Sequence, residues 1–384
     1  MKIIVPTLFL ILISLPALFM AKPQWDAAAT MAQKEIRPPA PWHELFSDTE
    51  YGKKTEAYFN EHFGLRNLMI RAKNQLDYSL FGYSPQVIIG KDGWLSNRSV
   101  AMGQTWNVDH LSDEQWQQTK QRIELFSQRL KDVGVKLYVL PVPLKITVHP
   151  EHYPQIASMR PEHNGYLKIR DLIKSLPGVG LIDVYEIFKR DSQREVLFYK
   201  TDLHWNDIGA MTVSKEIVAQ LSQSAGAPME WRDPVAFHYT EFALGGDATS
   251  LGLLFPITER VPFLNSIKSP CGIYPGGADS LPSPQPYGAL FMSNGACKKP
   301  LIPQTIIVGN SYMIYFYQNG LLDHFEKVYL LHDLLSFQLL LQNIPRGTKF
   351  LIWQFFESEI PAQLQSPEWW DQLASPARIV QLGQ

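Results

Sequence analysis

Apolar positions along the chain alternate between helical spacing and short unbroken runs. Between Trp116 and Val133 they recur every three or four residues, which predicts a helix. Ser112 and Gln115 form a capping-box pattern at its start, and Gly134 marks its end. The apolar, β-branched run 135–142 then predicts a buried strand. By the same reasoning, helices are predicted at 51–81, 166–176, 207–223, 311–318 and 334–342, and strands at 179–184, 196–199, 305–308, 327–331 and 349–355.

The order of these elements defines the expected fold class. Continuous apolar strands that alternate with helices predict an α/β fold in which helices cover both faces of a parallel sheet. Residues 225–304, rich in Gly, Pro and Ser, show no clear periodic element and are interpreted as an irregular insertion. Ligands bind beyond the carboxyl ends of parallel strands, so the loops 200–206 and 309–311 are expected at the functional edge.

The first residues predict export. The apolar run 3–20 would rise about 27 Å as a helix, close to the thickness of a bilayer's hydrocarbon core. It is either a signal peptide or an uncleaved anchor, and Phe19-Met20-Ala21 is a poor cleavage site, which favours an anchor. The expected segments are an anchor or signal at 1–21, a linker at 22–50 and the exported domain at 51–384. In an oxidising compartment Cys271 and Cys297 are expected to form a disulfide.

Composition excludes several classes of protein. Of 384 residues 45% are hydrophobic, so the chain is not intrinsically disordered. Lys and Arg total 35 against 37 Asp and Glu, a net charge of −2. That balance lacks the basic surface of a nucleic-acid-binding protein, and no nucleic-acid partner is expected.

Two loops carry candidate chemistry. In an extended loop Asp202 and His204 point the same way, and a carboxylate beside an imidazole can support a general base. Ser311 follows a strand and begins a helix, whose free N–H groups can stabilise an oxyanion.

Each feature also has a structural explanation. Asn310 and Ser311 have the residue types of a helix N-cap, as does Asn206. Asp202 and His204 can also belong to a metal site, together with the imidazoles of the segment 149–152. A proline in that segment and the lack of helical spacing argue against a metal, so neither a metal nor a cofactor is predicted.

Six short segments reinforce the catalytic interpretation. In chain order they are Tyr58 to Asn67, Gly90 to Leu95, Val142 to Lys145, Asp202 to Trp205, Gly309 to Tyr312, and Ile352 with Trp353. Together they resemble the family of the alginate O-acetyltransferases AlgJ and AlgX, over residues 51–357. With few residues after the last predicted strand, the layout is nearer to AlgJ. The chain departs from the family pattern at Ser96, Leu144 and Asn310.

The resemblance implies an SGNH-hydrolase-like fold in which the catalytic Asp and His precede the serine. It identifies Ser311 as the nucleophile, His204 as the general base and Asp202 as its orienting partner, and it makes Gly246 a candidate oxyanion donor. Three further residues are expected to contact substrate: Asn310, Trp205 and Lys145. For Trp205, packing in the core is the alternative.

The function expected from this resemblance is O-acetylation of an exported polysaccharide through an acetyl-serine intermediate. The expected partners are the polysaccharide and a membrane-bound O-acyltransferase that supplies acetyl groups, and the expected location is the periplasm, at the inner membrane. The alternatives are an acetyl esterase with the same triad and a non-catalytic scaffold of an export complex. Aromatic side chains in and beside the insertion are candidates for an acceptor groove: Trp231, Phe237, Tyr239, Phe242 and Tyr274.

Overall fold

The computed structural model of the chain describes most of its residues. The described ranges are 4–21, 41–191, 196–231, 236–243, 245–265, 274–276, 289–293, 300–317, 319–332, 344–359 and 381–382. The chain divides into two compact units. The smaller comprises residues 1–84 and 251–256, and the larger comprises 85–250 and 257–384.

The described residues form eleven α-helices and thirteen strands, numbered in chain order. The helices are α1 Ile4–Ala21, α2 Tyr51–His62, α3 Arg66–Phe81, α4 Thr105–Asp109, α5 Asp113–Asp132, α6 Lys145–Val148, α7 Pro154–Ala157, α8 Gly165–Ser175, α9 Val184–Asp191, α10 Asp207–Ser224 and α11 Gly246–Ser250. The strands are β1 Val87–Ile89, β2 Leu95–Asn97, β3 Lys136–Val142, β4 Gly180–Leu181, β5 Phe237–Phe242, β6 Glu259–Leu264, β7 Tyr274–Gly276, β8 Ala289–Ser293, β9 Thr305–Gly309, β10 Lys327–His332, β11 Ile344–Pro345, β12 Phe350–Phe356 and β13 Gln381–Leu382.

A seven-stranded sheet organises the larger unit, in the order β4-β3-β12-β9-β10-β8-β7. The first five strands are parallel, and β8 and β7 extend the sheet in antiparallel fashion. The expected α/β fold with a parallel sheet is confirmed. Strand β9, which leads to Ser311, lies in the interior of the sheet between β12 and β10.

Each face of the sheet has its own hydrophobic core. Alternate strand residues point to opposite faces, so Leu140 and Ile352 pack with α9 and α10, whereas Val139 and Trp353 pack with α5 and α8. Because both faces are covered, the central strands are apolar at nearly every position. This explains why the strands were evident from the sequence as unbroken apolar runs.

Most predicted elements occur within a few residues of their expected bounds. The capping box is formed, with the Gln115 N–H donating to Ser112 Oγ and the Ser112 N–H to Gln115 Oε1. Gly134 has φ +77°, as expected for a residue that ends a helix. The helix predicted from residue 311 is instead a 3₁₀ helix, Ser311–Tyr317. The strand predicted at 196–199 is reduced to a single bridge between Phe198 and Trp205.

The expectation that 225–304 contains no regular element is wrong for the described part of that stretch. Strands β5 and β6 pair as an antiparallel ribbon, and β7 and β8 join the main sheet. Most β5 side chains are exposed. The apolar alternation by which a strand is recognised is therefore weak there.

Two sequence predictions, a disulfide and a helix, stay predictions. Cys271, Cys297 and the helix predicted at 334–342 lie outside the described residues. Helix α1 occupies Ile4–Ala21, within the predicted anchor or signal. Over the described ranges, no helix combines the length and apolar character needed to cross a membrane.

Candidate active site

Ser311 lies immediately beyond the carboxyl end of β9, at the first position of the 3₁₀ helix. Gly309 precedes it where the backbone crosses closely over Gln354 of β12. A Cβ on Gly309 would lie 2.1 Å from Gln354 Oε1. The same oxygen accepts a hydrogen bond from the Asn310 N–H at 2.8 Å. Residue 309 must therefore be glycine, because any side chain there would push β12 away from the turn that carries Ser311.

His204 joins Ser311 to Asp202. Its Nε2 lies 2.7 Å from Ser311 Oγ, and its Nδ1 lies 2.6 Å from Asp202 Oδ1. An ionised carboxylate only accepts hydrogen bonds, so Nδ1 carries the proton and Nε2 is the acceptor that faces the serine. Burial alone would raise the pKa of Asp202, but hydrogen bonds from the His204 ring and backbone N–H, with the charge of Lys145, hold that pKa below its usual value. Asp202 is thus ionised at neutral pH and fixes the tautomer of the base.

The loop that carries Asp202 and His204 is closed at its base by the bridge between Phe198 and Trp205. Asn206 then caps α10 by accepting from the Gly209 N–H at 3.0 Å. Its amide also donates to the Val196 carbonyl at 2.6 Å. The capping role considered for Asn206 is confirmed, and the cap sets where the loop ends.

Lys145 lies beneath the same loop, only 3% exposed. Its Nζ donates to the carbonyls of Tyr199, Lys200 and Asp202, at 3.2, 3.1 and 2.7 Å. It also forms a salt bridge with Asp247 Oδ2 at 3.1 Å. All these acceptors belong to the protein, so Lys145 positions the triad loop in place of the expected substrate contact.

Glu259 holds the loop from the other side. Its carboxylate accepts hydrogen bonds from the N–H groups of Lys200 and Thr201 and from the Thr201 hydroxyl, at 2.8 to 3.0 Å. Glu259 belongs to β6, in the stretch expected to be irregular. This ribbon therefore supports the triad loop directly.

Gly246 lies against the triad carboxylate. A Cβ there would be 2.1 Å from Asp202 Oδ2, and the residue has φ +58°, which disfavours any other side chain. The expected oxyanion role of Gly246 stays a prediction, because its contact in the structure is with Asp202. Its evident contribution is to leave room for the carboxylate beside His204.

Replacing Gly246 with alanine is expected to lower kcat by about a hundredfold, because an added Cβ must displace Asp202 and a shift of about 1 Å has costs of that order. Gly245→Ala is the matched control, since its Cβ would meet nothing within 4 Å. Ester turnover and thermal unfolding of both variants provide the check. Similar kcat values for the two variants would contradict the proposed steric role.

Asn310 and Trp205 also have structural partners. The Asn310 amide donates to Glu359 Oε2 at 2.7 Å, and its oxygen accepts from Gln354 Nε2 and the Tyr312 N–H. Trp205 is completely buried. Its ring packs against Tyr312 and Phe316, which favours the core alternative over contact with substrate.

A buried ionic network, missed in the sequence, holds the start of α6. Glu357 accepts from the Leu144 N–H at 2.8 Å and from Arg160 Nη2 at 2.6 Å, and Arg160 also pairs with Asp109. These residues come from separate parts of the chain, so no local motif reveals them. The network fixes the segment from which Lys145 reaches the triad loop.

The fold and this geometry define an α/β protein with a Ser–His–Asp centre at the carboxyl edge of a parallel sheet, suited to acyl transfer or hydrolysis. The family described as "SGNH hydrolase-like domain, acetyltransferase AlgX" matches residues 87–314. This match covers more than half of the chain, which therefore belongs to that family.

Curated relatives align over part of their length. The "Probable alginate O-acetylase AlgJ" of Pseudomonas aeruginosa is 26% identical over 172 residues, 44% of this chain and 42% of that protein. The protein of the same name from Azotobacter vinelandii is 23% identical over 211 residues, 54% of this chain and 52% of that protein. The chain thus spans about half or less of the length of these relatives.

Solved structures resemble the fold. Bacillus cereus PatB1 with a sulfonyl adduct has a TM-score of 0.51 and 15% identity, covering 71% of this chain and 97% of that one. The O-acetyltransferase domain of Pseudomonas putida AlgJ has a TM-score of 0.45 and 18% identity, covering 76% and 99%. At 15% identity, the similarity to PatB1 supports the fold alone.

Proposed function

We propose that the protein is an O-acetyltransferase that transfers an acetyl group through acetyl-Ser311 to a hydroxyl of an exported polysaccharide. The observation that carries the proposal is the continuous chain from Ser311 Oγ through His204 to Asp202, with contacts of 2.7 and 2.6 Å. Membership of an SGNH-like family described by an acetyltransferase supports the reaction class. Relatives named as alginate O-acetylases support a polysaccharide acceptor.

The reaction has two balanced halves. In the first, His204 Nε2 takes the proton of Ser311 Oγ as that oxygen attacks the acetyl carbonyl, and the leaving group departs with the proton from His204. In the second, His204 takes the proton of a sugar hydroxyl whose oxygen attacks acetyl-Ser311. The serine oxygen regains the proton from His204, which leaves an acetylated sugar and the free enzyme.

Asp202 supports both halves without taking part in bond making. Each half passes through an imidazolium at His204, and the adjacent carboxylate stabilises that charge. The low pKa of Asp202, held there against its burial mainly by the His204 hydrogen bonds, keeps the negative charge in place.

The acceptor is proposed to bind beside the ribbon of β5 and β6. Tyr239 and Phe242 on β5 are 45% and 48% exposed, and aromatic faces of this kind can stack on sugar rings. Phe242 lies directly opposite Glu259 in the register of the ribbon. Because Glu259 binds the triad loop, Phe242 is near that loop.

Two other aromatic candidates give no support for this surface. Trp231 packs on His324, with ring centroids 4.4 Å apart. The side chain of Tyr274 is outside the described residues.

The proposal extends to the cellular location of the protein and to the source of its acetyl groups. The apolar N-terminal segment supports export, either as a signal or as an anchor at the inner membrane. An exported enzyme has no access to cytoplasmic acetyl donors. A membrane-bound O-acyltransferase is therefore the proposed source of acetyl groups.

The test follows the fate of the acetyl group. The purified protein is given an activated acetyl ester with and without oligosaccharides of several classes, alginate oligomers among them, and products are identified by mass spectrometry. Acetylated sugar is expected, because a bound hydroxyl gains a large effective molarity over bulk water. Acetate alone, across all acceptors, would favour the esterase, and no turnover of any ester would favour the scaffold.

A pair of variants tests the acceptor surface. Phe242→Ala should lower sugar acetylation about fivefold, because aromatic contacts contribute on the order of 1 kcal/mol. Hydrolysis of a small ester should be unchanged. Phe255→Ala removes another exposed aromatic, 70% exposed, from the smaller unit and is the control. Equal sugar acetylation by both variants would show that the acceptor sugar binds elsewhere on the protein.

A further inference from the structure

We infer that His149, Glu151 and His152 form a binding site for a transition-metal cation of the Zn²⁺ type, distinct from the triad. One ligand atom from each of the three residues can be chosen so that all lie within 4.8 Å of one another. Two imidazoles and one carboxylate are a known zinc ligand set that leaves a fourth position for water. This inference is independent of the proposed acetyl transfer.

The spacing of the donor atoms suits a small tetrahedral ion. His149 Nδ1 lies 3.1 Å from Glu151 Oε1, and His152 Nε2 lies 3.9 Å from the same oxygen. Tetrahedral zinc bonds of about 2.0–2.1 Å place ligand atoms about 3.3–3.4 Å apart. The two distances to Glu151 Oε1 differ from this spacing by a few tenths of an ångström, and a bound ion would draw the two imidazoles together from a separation within 4.8 Å. The sequence argued against a metal because the spacing is not helical, but the 3₁₀ turn Pro150–His152 gathers the three side chains.

The surroundings hold His152 in a ligating orientation. Its ring stacks on the buried Trp94, with centroids 4.6 Å apart and planes 15° from parallel. Asp92 Oδ2 lies 3.3 Å from His152 Nδ1, within ion-pair distance but without hydrogen-bond geometry. Because Nδ1 faces Asp92, the other ring nitrogen faces Glu151 and is the atom available to bind a metal. His152 Nε2 is then the ligating atom.

Charge and burial also suit a cation. The Glu151 carboxylate lies within 4 Å of both imidazoles, and the side chain of His149 is only 10% exposed. When His149 Nδ1 binds the metal, the ring proton must lie on Nε2. That atom is buried and has no hydrogen-bond partner within the described ranges, and the metal would replace the existing hydrogen bond between His149 Nδ1 and Glu151 Oε1.

The site lies in a turn that packs against a segment in contact with the triad loop. Gly90 packs so closely on this turn that a Cβ would lie 2.6 Å from the His152 carbonyl oxygen. The Leu95 N–H donates to the Lys200 carbonyl at 2.8 Å, and Lys200 Nζ donates to the Asp92 carbonyl at 3.3 Å. A bound metal would therefore stiffen residues 149–152, against which the turn 90–95 packs next to the loop that carries Asp202. Glu151, whose side chain is 61% exposed, gives the ion access from solvent.

The experiment measures metal on the full chain. Metal-free protein is titrated with Zn²⁺ or Mg²⁺ in a calorimeter, and metal retained after gel filtration is counted by mass spectrometry. We expect one Zn²⁺ per chain and no Mg²⁺, because nitrogen donors disfavour magnesium. Glu151→Gln, at an exposed position that should not impair folding, and His152→Ala are each expected to lower Zn²⁺ affinity at least tenfold.

The controls separate this site from other histidines. His163→Ala removes an exposed imidazole that lies 3.7 Å from Asp171, and it should retain full Zn²⁺ binding. His204→Ala should do so as well. Loss of Zn²⁺ in His204→Ala but not in Glu151→Gln would place the ion on the triad and overturn the inference. Equal affinity of Glu151→Gln and the unaltered protein, or absence of stoichiometric Zn²⁺, would also overturn it.

Discussion

Replacing Ser311 with alanine is expected to reduce acyl transfer by about 10⁶-fold, because loss of a triad nucleophile typically has an effect of that order. The hydroxyl removed is the one that lies 2.7 Å from His204 Nε2. Turnover of an activated acetyl ester provides the measurement. Peptide mass spectrometry should detect an acetyl group on Ser311 in the unaltered protein and none in the variant.

The folded state should survive this change. Ser311 is only partly buried, and the variant should keep the circular dichroism spectrum and melting temperature of the unaltered protein. Ser158→Ala removes an exposed hydroxyl in the same unit and should retain full turnover. Turnover within tenfold of normal in Ser311→Ala would show that another group is the nucleophile.

Replacing Lys145 with methionine is expected to lower the free energy of unfolding by about 3–5 kcal/mol, because removal of one partner leaves an uncompensated buried charge. Three loop carbonyls also lose their donor. The Asp202 and His204 loop should then lose its fixed geometry, and turnover should fall with stability. Denaturant unfolding and ester turnover measure the two effects.

A second substitution separates the effect of the unpaired carboxylate from the effect of losing the donor that positions the loop. Asp247→Asn added to Lys145→Met removes the unpaired carboxylate while keeping an oxygen to accept from the Asn97 N–H. The double variant should recover part of the lost stability but little activity, because the three loop carbonyls still lack a donor. Lys131→Met, at an exposed position, is the control. A loss of less than 1 kcal/mol in Lys145→Met would show that Lys145 does not hold the loop.

The sequence predicted the elements whose residues are buried on both sides. Strands β3, β9 and β12 appear as unbroken apolar runs because cores cover both faces of the sheet. Helix α5 was recognised because its cap and its apolar face are local patterns. The ribbon of β5 and β6 was missed because most β5 side chains are exposed and show no apolar alternation.

The candidate site likewise contains residues that a local pattern reveals and residues that it does not. Residues whose chemistry is local, Asp202 with His204 and Ser311 after a strand, were candidates from the sequence, and the resemblance to a family assigned their roles. The role of Lys145 was not predicted, because a lysine suggests a surface position and its acceptors lie more than 50 residues away. Burial and long-range pairing, which the residue types do not record, decide such roles.

The position of β9 has a consequence for how the chain acquires activity during synthesis. Strand β3 pairs with β12, which is made about 200 residues later, so the sheet has a high contact order and is expected to fold slowly. Strand β9, which presents Ser311, finds both of its neighbours, β10 and β12, only in later parts of the chain. A partly synthesised chain that already contains Asp202, His204 and Ser311 therefore lacks the framework that aligns them. Ser311, the proposed nucleophile, is therefore expected to lack its alignment with His204 until the last strands of the sheet are in place.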